Sequence, residues 1–162
     1  MMTIEEKLGH FLIESGLTAA TAESCTGGLV SSKLTDVTGS SAYIKLNFVT
    51  YANEAKSEIL GVKPSTLNAH GAVSRECAFE MAKGLRNRTK CDLAICTTGV
   101  AGPLQDEGKP AGLVYIGIAF HDKIRVERVF IQETLSKSEM KERFAQKALE
   151  IAYDFISSEI RQ

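Results

Sequence analysis

With 162 residues, 44% of them hydrophobic and 24% charged, the chain has enough apolar material for a packed core and no stretch biased towards disorder. Nineteen basic and 20 acidic residues leave a net charge of −1, which excludes the broad basic surface that binding to nucleic acid or an anionic membrane demands. No run approaches the ~18 apolar residues of a membrane helix, and the acidic, alternating start MMTIEEKLGH is unlike a signal peptide, so a soluble cytoplasmic protein is expected.

In chain order, Thr3 to Glu6 has the spacing of a capping box, followed by Ile4, Leu8, Phe11 and Leu12 at helical intervals and a stop at Gly16. A short strand, Thr18 to Ala22, runs into Glu23-Ser24-Cys25-Thr26-Gly27-Gly28. The next helix carries Leu29, Val30, Leu34 and Val37 on one face and ends near Gly39. Ala42 to Tyr51 reads as a strand. Asn53 is placed to cap a helix over Glu54 to Leu60, Pro64 opens another brief one, and Ser74 starts a longer helix with Ala78, Met81, Ala82 and Leu85 inward. Leu93 to Thr98 is a continuous apolar run of the central-strand kind, broken at Gly99-Val100-Ala101-Gly102-Pro103. Leu104 to Ala111 is a polar loop without periodicity. Leu113 to Phe120 and Ile124 to Phe130 flank His121-Asp122-Lys123 as a hairpin. Ser136 and Glu139 form a second capping box, ahead of a stripe of Met140, Phe144, Ala148, Ile151, Phe155 and Ile160. This order predicts a single domain over 1–162, a three-layer α/β/α sandwich around a mixed sheet.

The cysteines (Cys25, Cys77, Cys91, Cys96) form no CxxC, and the histidines (His10, His70, His121) no HxH or HxxxH. Reduced thiols and no metal site are expected. Chemistry is better sought in the two glycine-containing loops that follow strands, Glu23 to Gly28 and Thr97 to Pro103. Ligands bind beyond the carboxyl ends of strands in open α/β sheets, and glycines let backbone approach them closely. The first loop also precedes a helix, whose free N–H groups favour an anion. Neither loop is a GxxxxGK[ST] or GxGxxG motif.

Ser24 occupies the strand-to-helix turn where a nucleophile would stand, though position alone favours Ser24 or Thr26 as a helix cap. Cys25 competes as a nucleophile. A base is harder to find, because no His–Asp pair has a persuasive setting. Lys56 serves only if burial or a neighbouring cation lowers its pKa from about 10.4, with Tyr51 relaying the proton.

TAESCTGG (Thr21 to Gly28), FVTYANEAK (Phe48 to Lys56), HGAVS (His70 to Ser74) and TTGVAGP (Thr97 to Pro103) resemble, in order and spacing, the CinA C-terminal domain family over nearly the whole chain. Characterised stand-alone members of that family are nicotinamide-nucleotide amidases with an α/β/α fold. The resemblance implies hydrolysis of nicotinamide mononucleotide to nicotinate mononucleotide and ammonia, with Ser24, Tyr51 and Lys56 as the catalytic group and no metal or cofactor. It also implies that Thr26, Gly27 and Gly28 of one loop, and Thr98, Gly99, Ala101 and Gly102 of the other, hold oxyanion and phosphate, without saying which holds which. Two departures stand out. Leu104-Gln105-Asp106-Glu107-Gly108 replaces a glycine-rich DGG stretch, and Leu113 replaces a threonine. The N-terminal domain of longer members is expected to be missing. The expected partner is a small nucleotide, with no nucleic acid or membrane, and a homo-oligomer is left open. Rival readings are a Cys25-dependent amidase, an amidase for another carboxamide, and a non-catalytic pyridine-nucleotide-binding module.

Overall fold

The computed structural model describes residues 1–161; Gln162, the last residue of the expected 1–162 domain, lies outside them. Five strands, β1 (Ala19–Glu23), β2 (Phe48–Val49), β3 (Leu93–Gly99), β4 (Leu113–Phe120) and β5 (Lys123–Phe130), form one sheet in the order β2-β1-β3-β4-β5. The first three are parallel, whereas β4 and β5 run antiparallel as a hairpin. Helices α1 (Ile4–Ser15), α2 (Leu29–Thr35) and α6 (Lys137–Ile160) cover one face. Helices α3 (Asn53–Leu60), α4 (Pro64–His70) and α5 (Arg75–Thr89) build the other. The expected three layers and mixed sheet are therefore present.

Alternation along the strands explains how the layers pack. Leu93, Ile95, Val114, Ile116 and Ile118 fill the α1/α6 side, while Ala20, Ala22, Ala94, Cys96 and Ala119 face α5. Small residues on that side let α5 sit close to the sheet. Gly117 continues the pattern, since a β-carbon there would come 2.5 Å from the Ala78 carbonyl oxygen. Gly84 repeats the device one layer out: a β-carbon would lie 1.7 Å from the Leu60 oxygen, so α3 rests directly on α5.

Capping places the helix starts as the sequence suggested at Thr3, Ser74 and Ser136. Three other expectations are corrected. Asn53 is the first residue of α3 and caps nothing; Ala52 precedes it without a side-chain bond. Ile160, the last residue of α6, is 45% exposed and does not join the buried stripe. The strand expected over Ala42 to Tyr51 shrinks to Phe48–Val49. A 3₁₀ turn takes up Ser40–Ala42, and the Tyr43 hydroxyl donates to the Leu34 carbonyl at 2.6 Å, which pulls the ring into the core. The Asn47 side chain then accepts from the Thr21 N–H at 3.0 Å, taking the place of a backbone partner beside β1.

Because β1, β2 and β3 are parallel, their carboxyl ends share one edge of the sheet. Glu23-Ser24, Val49-Thr50-Tyr51 and Gly99-Val100 therefore meet there. Among the described residues no helix is long and apolar enough to cross a membrane.

Candidate active site

At this edge the chain leaves β1 through Ser24 and turns over Cys25 to Gly28 before entering α2. The Ser24 N–H donates to the Thr97 carbonyl at 3.1 Å, extending the β1–β3 ladder by one bond, and the Gly27 N–H closes the turn on the Ser24 carbonyl at 3.0 Å. Gly28, at φ 104°, adopts a left-handed conformation that a side chain would strain.

Neither Ser24 nor Thr26 caps α2. Buried Glu23 does: its carboxylate accepts from the Val30 and Ser31 N–H groups at 2.8 and 2.9 Å and from the Thr26 hydroxyl at 2.7 Å. The anion at this helix start is thus supplied by the protein itself. Glu23 was not singled out from the sequence, where the only available signal was an acid ending an apolar strand ahead of a helix.

Lys56 lies on the inward face of α3 with Leu60, one turn apart, and is 1% exposed. Its Nζ donates to the Ser24 Oγ at 3.2 Å and to the main-chain carbonyl of Tyr51 at 3.0 Å. No carboxylate forms an ion pair with it among the described residues. Burial pushes the Lys56 pKa down, only partly offset by Cys77 and Cys25 and by the Glu107 and Glu54 carboxylates. Lysine and serine are in direct contact, with no relay between them. Tyr51 instead contributes its carbonyl, and its side chain is 61% exposed.

A cleft of about 280 Å³ lies beside this pair, walled by Cys25, Tyr51, Gly99, Ala101, Gly102 and Leu104. Backbone N–H groups of Cys25, Thr26, Ala101 and Gly102 have no acceptor among the described residues. Thr26, Gly27 and Gly28 border an adjoining groove against α6. Thr98 turns elsewhere, its buried hydroxyl donating to the Ala72 carbonyl at 2.8 Å. Cys25 is poorly set as a nucleophile, since burial raises its thiol to about 12. Thr50, fully buried, holds the Glu23 carbonyl through its N–H at 2.8 Å, yet its own hydroxyl has no partner among the described residues.

The Leu104 to Ala111 loop is more ordered than its sequence suggested. Asp106 and Lys109 exchange two backbone hydrogen bonds around Glu107 and Gly108, both at positive φ, which makes a type I′ turn. The Glu107 carboxylate accepts from the Ala72 and Val73 N–H groups at 2.9 and 3.1 Å, and Lys109 donates to the His70 carbonyl at 2.8 Å. This departure from the motif thus clasps the HGAVS segment. Among the described residues no three His, Cys, Asp or Glu side chains gather to hold a metal ion.

Fold and site together define an α/β domain with a buried serine–lysine contact at the carboxyl edge of its parallel strands. The chain belongs to the CinA family, whose C-terminal domain matches residues 1–156. It is 47% identical over 161 residues to a CinA-like protein of Chloroherpeton thalassium, covering 97% of this chain and 38% of that protein. To a CinA-like protein of Desulforapulum autotrophicum it is 54% identical over 119 residues, 73% of this chain and 28% of the relative. The chain therefore spans about a third of the length of these curated relatives. Solved structures match over almost their whole length. A CinA superfamily protein from Klebsiella pneumoniae 700603 superimposes with a TM-score of 0.90 at 31% identity, covering 96% of each chain. A competence/damage-inducible protein from Agrobacterium tumefaciens does so at 0.84 and 36% identity, over 95% of this chain and 98% of the other.

Proposed function

We propose that this chain is a cytoplasmic amidohydrolase that converts nicotinamide mononucleotide to nicotinate mononucleotide and ammonia through an acyl-enzyme on Ser24. The observation that carries the reading is the Lys56 amino group, buried without a carboxylate partner among the described residues and 3.2 Å from the Ser24 hydroxyl. Keeping an unpaired lysine out of water is costly, and a binding module gains nothing from it. A base gains a great deal, because the neutral amine that can accept a proton is the form burial favours.

In the reaction, the Ser24 Oγ attacks the carboxamide carbon as its proton passes to neutral Lys56. The C–N bond then breaks and the Lys56 proton leaves with the amine as ammonia. Water attacks the resulting ester, gives a proton to Lys56, and the Ser24 oxygen recovers it as the acid is released. The unpaired N–H groups of Cys25 and Thr26, or those of Ala101 and Gly102, supply the oxyanion donors. Tyr51 acts by fixing Lys56 through its carbonyl and by walling the cleft with its ring. The scheme calls on no metal or cofactor.

The test is ammonia release from a carboxamide panel that includes nicotinamide mononucleotide. Ser24→Ala is expected to lower kcat by roughly three orders of magnitude, whereas Cys25→Ala retains most turnover. An active Ser24→Ala protein would overturn the nucleophile. Turnover of other carboxamides in preference to the nucleotide would overturn the substrate.

A further inference from the structure

The edge of the sheet opposite Ser24 holds a second cavity. The β4–β5 turn, His121-Asp122, lies there beside the starts of β1 and β3, since Phe120 pairs with Leu93 and Leu93 with Ala19. The five residues of β1 separate the two edges by about 15 Å. The last turns of α5 face this hairpin across a space of about 320 Å³, large enough for a small molecule. Lys83, Arg86 and Asn87 share one face of α5 and contribute two cations and an amide. The turn contributes the His121 ring and the Asp122 carboxylate, while Ala119 and Ile124 supply an apolar lining.

Arg86 is the informative residue. Its Nε is buried and has no hydrogen-bond partner among the described residues. Nor does Arg86 or Lys83 form an ion pair among them. Asp92, which contacts His121, is already engaged: the Thr18 N–H and hydroxyl donate to it at 2.9 and 3.2 Å, and the His121 Nε2 lies 2.9 Å away. A basic side chain in the last turn of a helix often serves the open carbonyls there. Here the Lys90 N–H closes the Arg86 carbonyl and the Thr89 hydroxyl closes that of Leu85, each at 2.8 Å. An unbonded Nε kept from water is costly. It is also one of the donors with which a guanidinium grips an oxyanion in two parallel bonds.

We propose that Lys83, Arg86 and Asn87, with the His121-Asp122 turn, bind a small hydroxylated phosphate ester. Two permanent cations against one lining carboxylate leave the cavity net positive, which favours a net anion over a zwitterion. The phosphate sits on Arg86 and Lys83. Ionised Asp122 only accepts, so it calls for a hydroxyl on the ligand. The site is separate from the Ser24 cleft and independent of the amidase reading.

The probes are glycerol 3-phosphate, inorganic phosphate and glycerol, titrated into the purified protein and followed by NMR of the backbone amides and arginine side chains. The ester is expected to move the amide signals of Asn87, His121 and Asp122 and to shift the Arg86 Nε–H signal downfield, a signal identified by its loss in Arg86→Lys. Inorganic phosphate does the same more weakly, and glycerol does not. The double variant Lys83→Gln, Arg86→Gln should weaken the ester at least about tenfold. Lys83→Gln alone, at an exposed position, should weaken it about threefold and keeps the test open if the double variant fails to fold. Signals that move only at Gly27 and Gly28, or variants that bind as tightly as wild type, would overturn the site. Inorganic phosphate bound as tightly as the ester would remove the hydroxyl contact and with it the proposed ligand class.

Discussion

At the scale of single residues, two buried polar groups set stability against chemistry. Lys56 carries a pKa lowered by burial, so between that value and the ~10.4 of an unfolded lysine the unfolded chain binds more protons than the folded one. Stability contributed by this site therefore rises with pH through that window and is lowest below it, where the charge must stay buried. Lys56→Met should abolish turnover yet melt no lower than wild type at neutral pH, with its relative advantage shrinking as the pH rises. Thermal melts at several pH values check this, and a variant much less stable at neutral pH would contradict it. Activity of the wild type should climb with pH through an ionisation below that of a free lysine. Thr50 offers a second case. Its orphan hydroxyl costs about 1–3 kcal/mol, so Thr50→Val should hold or raise Tm, by about 3 °C per kcal/mol recovered. A fall in kcat alongside that rise would give the hydroxyl a task in the reaction.

At the scale of elements, the Asp106–Lys109 turn joins two loops through one carboxylate. Burial works to raise the Glu107 pKa, but the Val73 and Ala72 N–H groups and Lys109 outweigh it and hold the carboxyl below the usual range. A depressed carboxyl adds stability above its unfolded value of ~4.3 and loses it as the pH falls through the folded value. The Ala72 and Val73 amides should accordingly become quick to exchange on acidification, and Glu107→Gln should remove that dependence. Hydrogen exchange across mild acid reads the difference directly. Equal acid sensitivity in wild type and variant would show that the clasp is held by something other than this charge.

At the scale of the whole molecule, what was legible in the sequence is what is local. Both capping boxes, the stripe of α6, the apolar run of β3 and the β4–β5 hairpin announce themselves within a few residues, and the layers follow from their order. Ser24 was legible as a turn residue and Lys56 only through the motif, because hydrophobic periodicity gives no sign that a lysine points inward. The segment after α2 misled for a related reason. Tyr43, Ile44 and Phe48 have strand-like composition, but Tyr43 is claimed by Leu34 and Asn47 by Thr21. Glu23 was illegible as a cap, since its partners Val30 and Ser31 come within reach only when the turn between them has closed.

The split between parallel and antiparallel halves of the sheet has a consequence for the order in which the chain folds. β3, β4 and β5 are successive, joined by the loop 100–112 and by the two-residue turn His121-Asp122, whereas Thr18 and Asp92, which pin the start of β1 to β3, are 74 positions apart. Closing that long loop is entropically costly, so the meander is the economical nucleus and β1 and β2 dock onto it late. Substitutions in the β4–β5 turn should slow refolding, while those at the β1–β2 pairing should chiefly hasten unfolding. Stopped-flow kinetics of the two sets decide it, and slower refolding from the β1–β2 set would reverse the order. The serine and its lysine, one following β1 and the other following β2, would then meet only at the last step, leaving the chain chemically silent until it is fully folded.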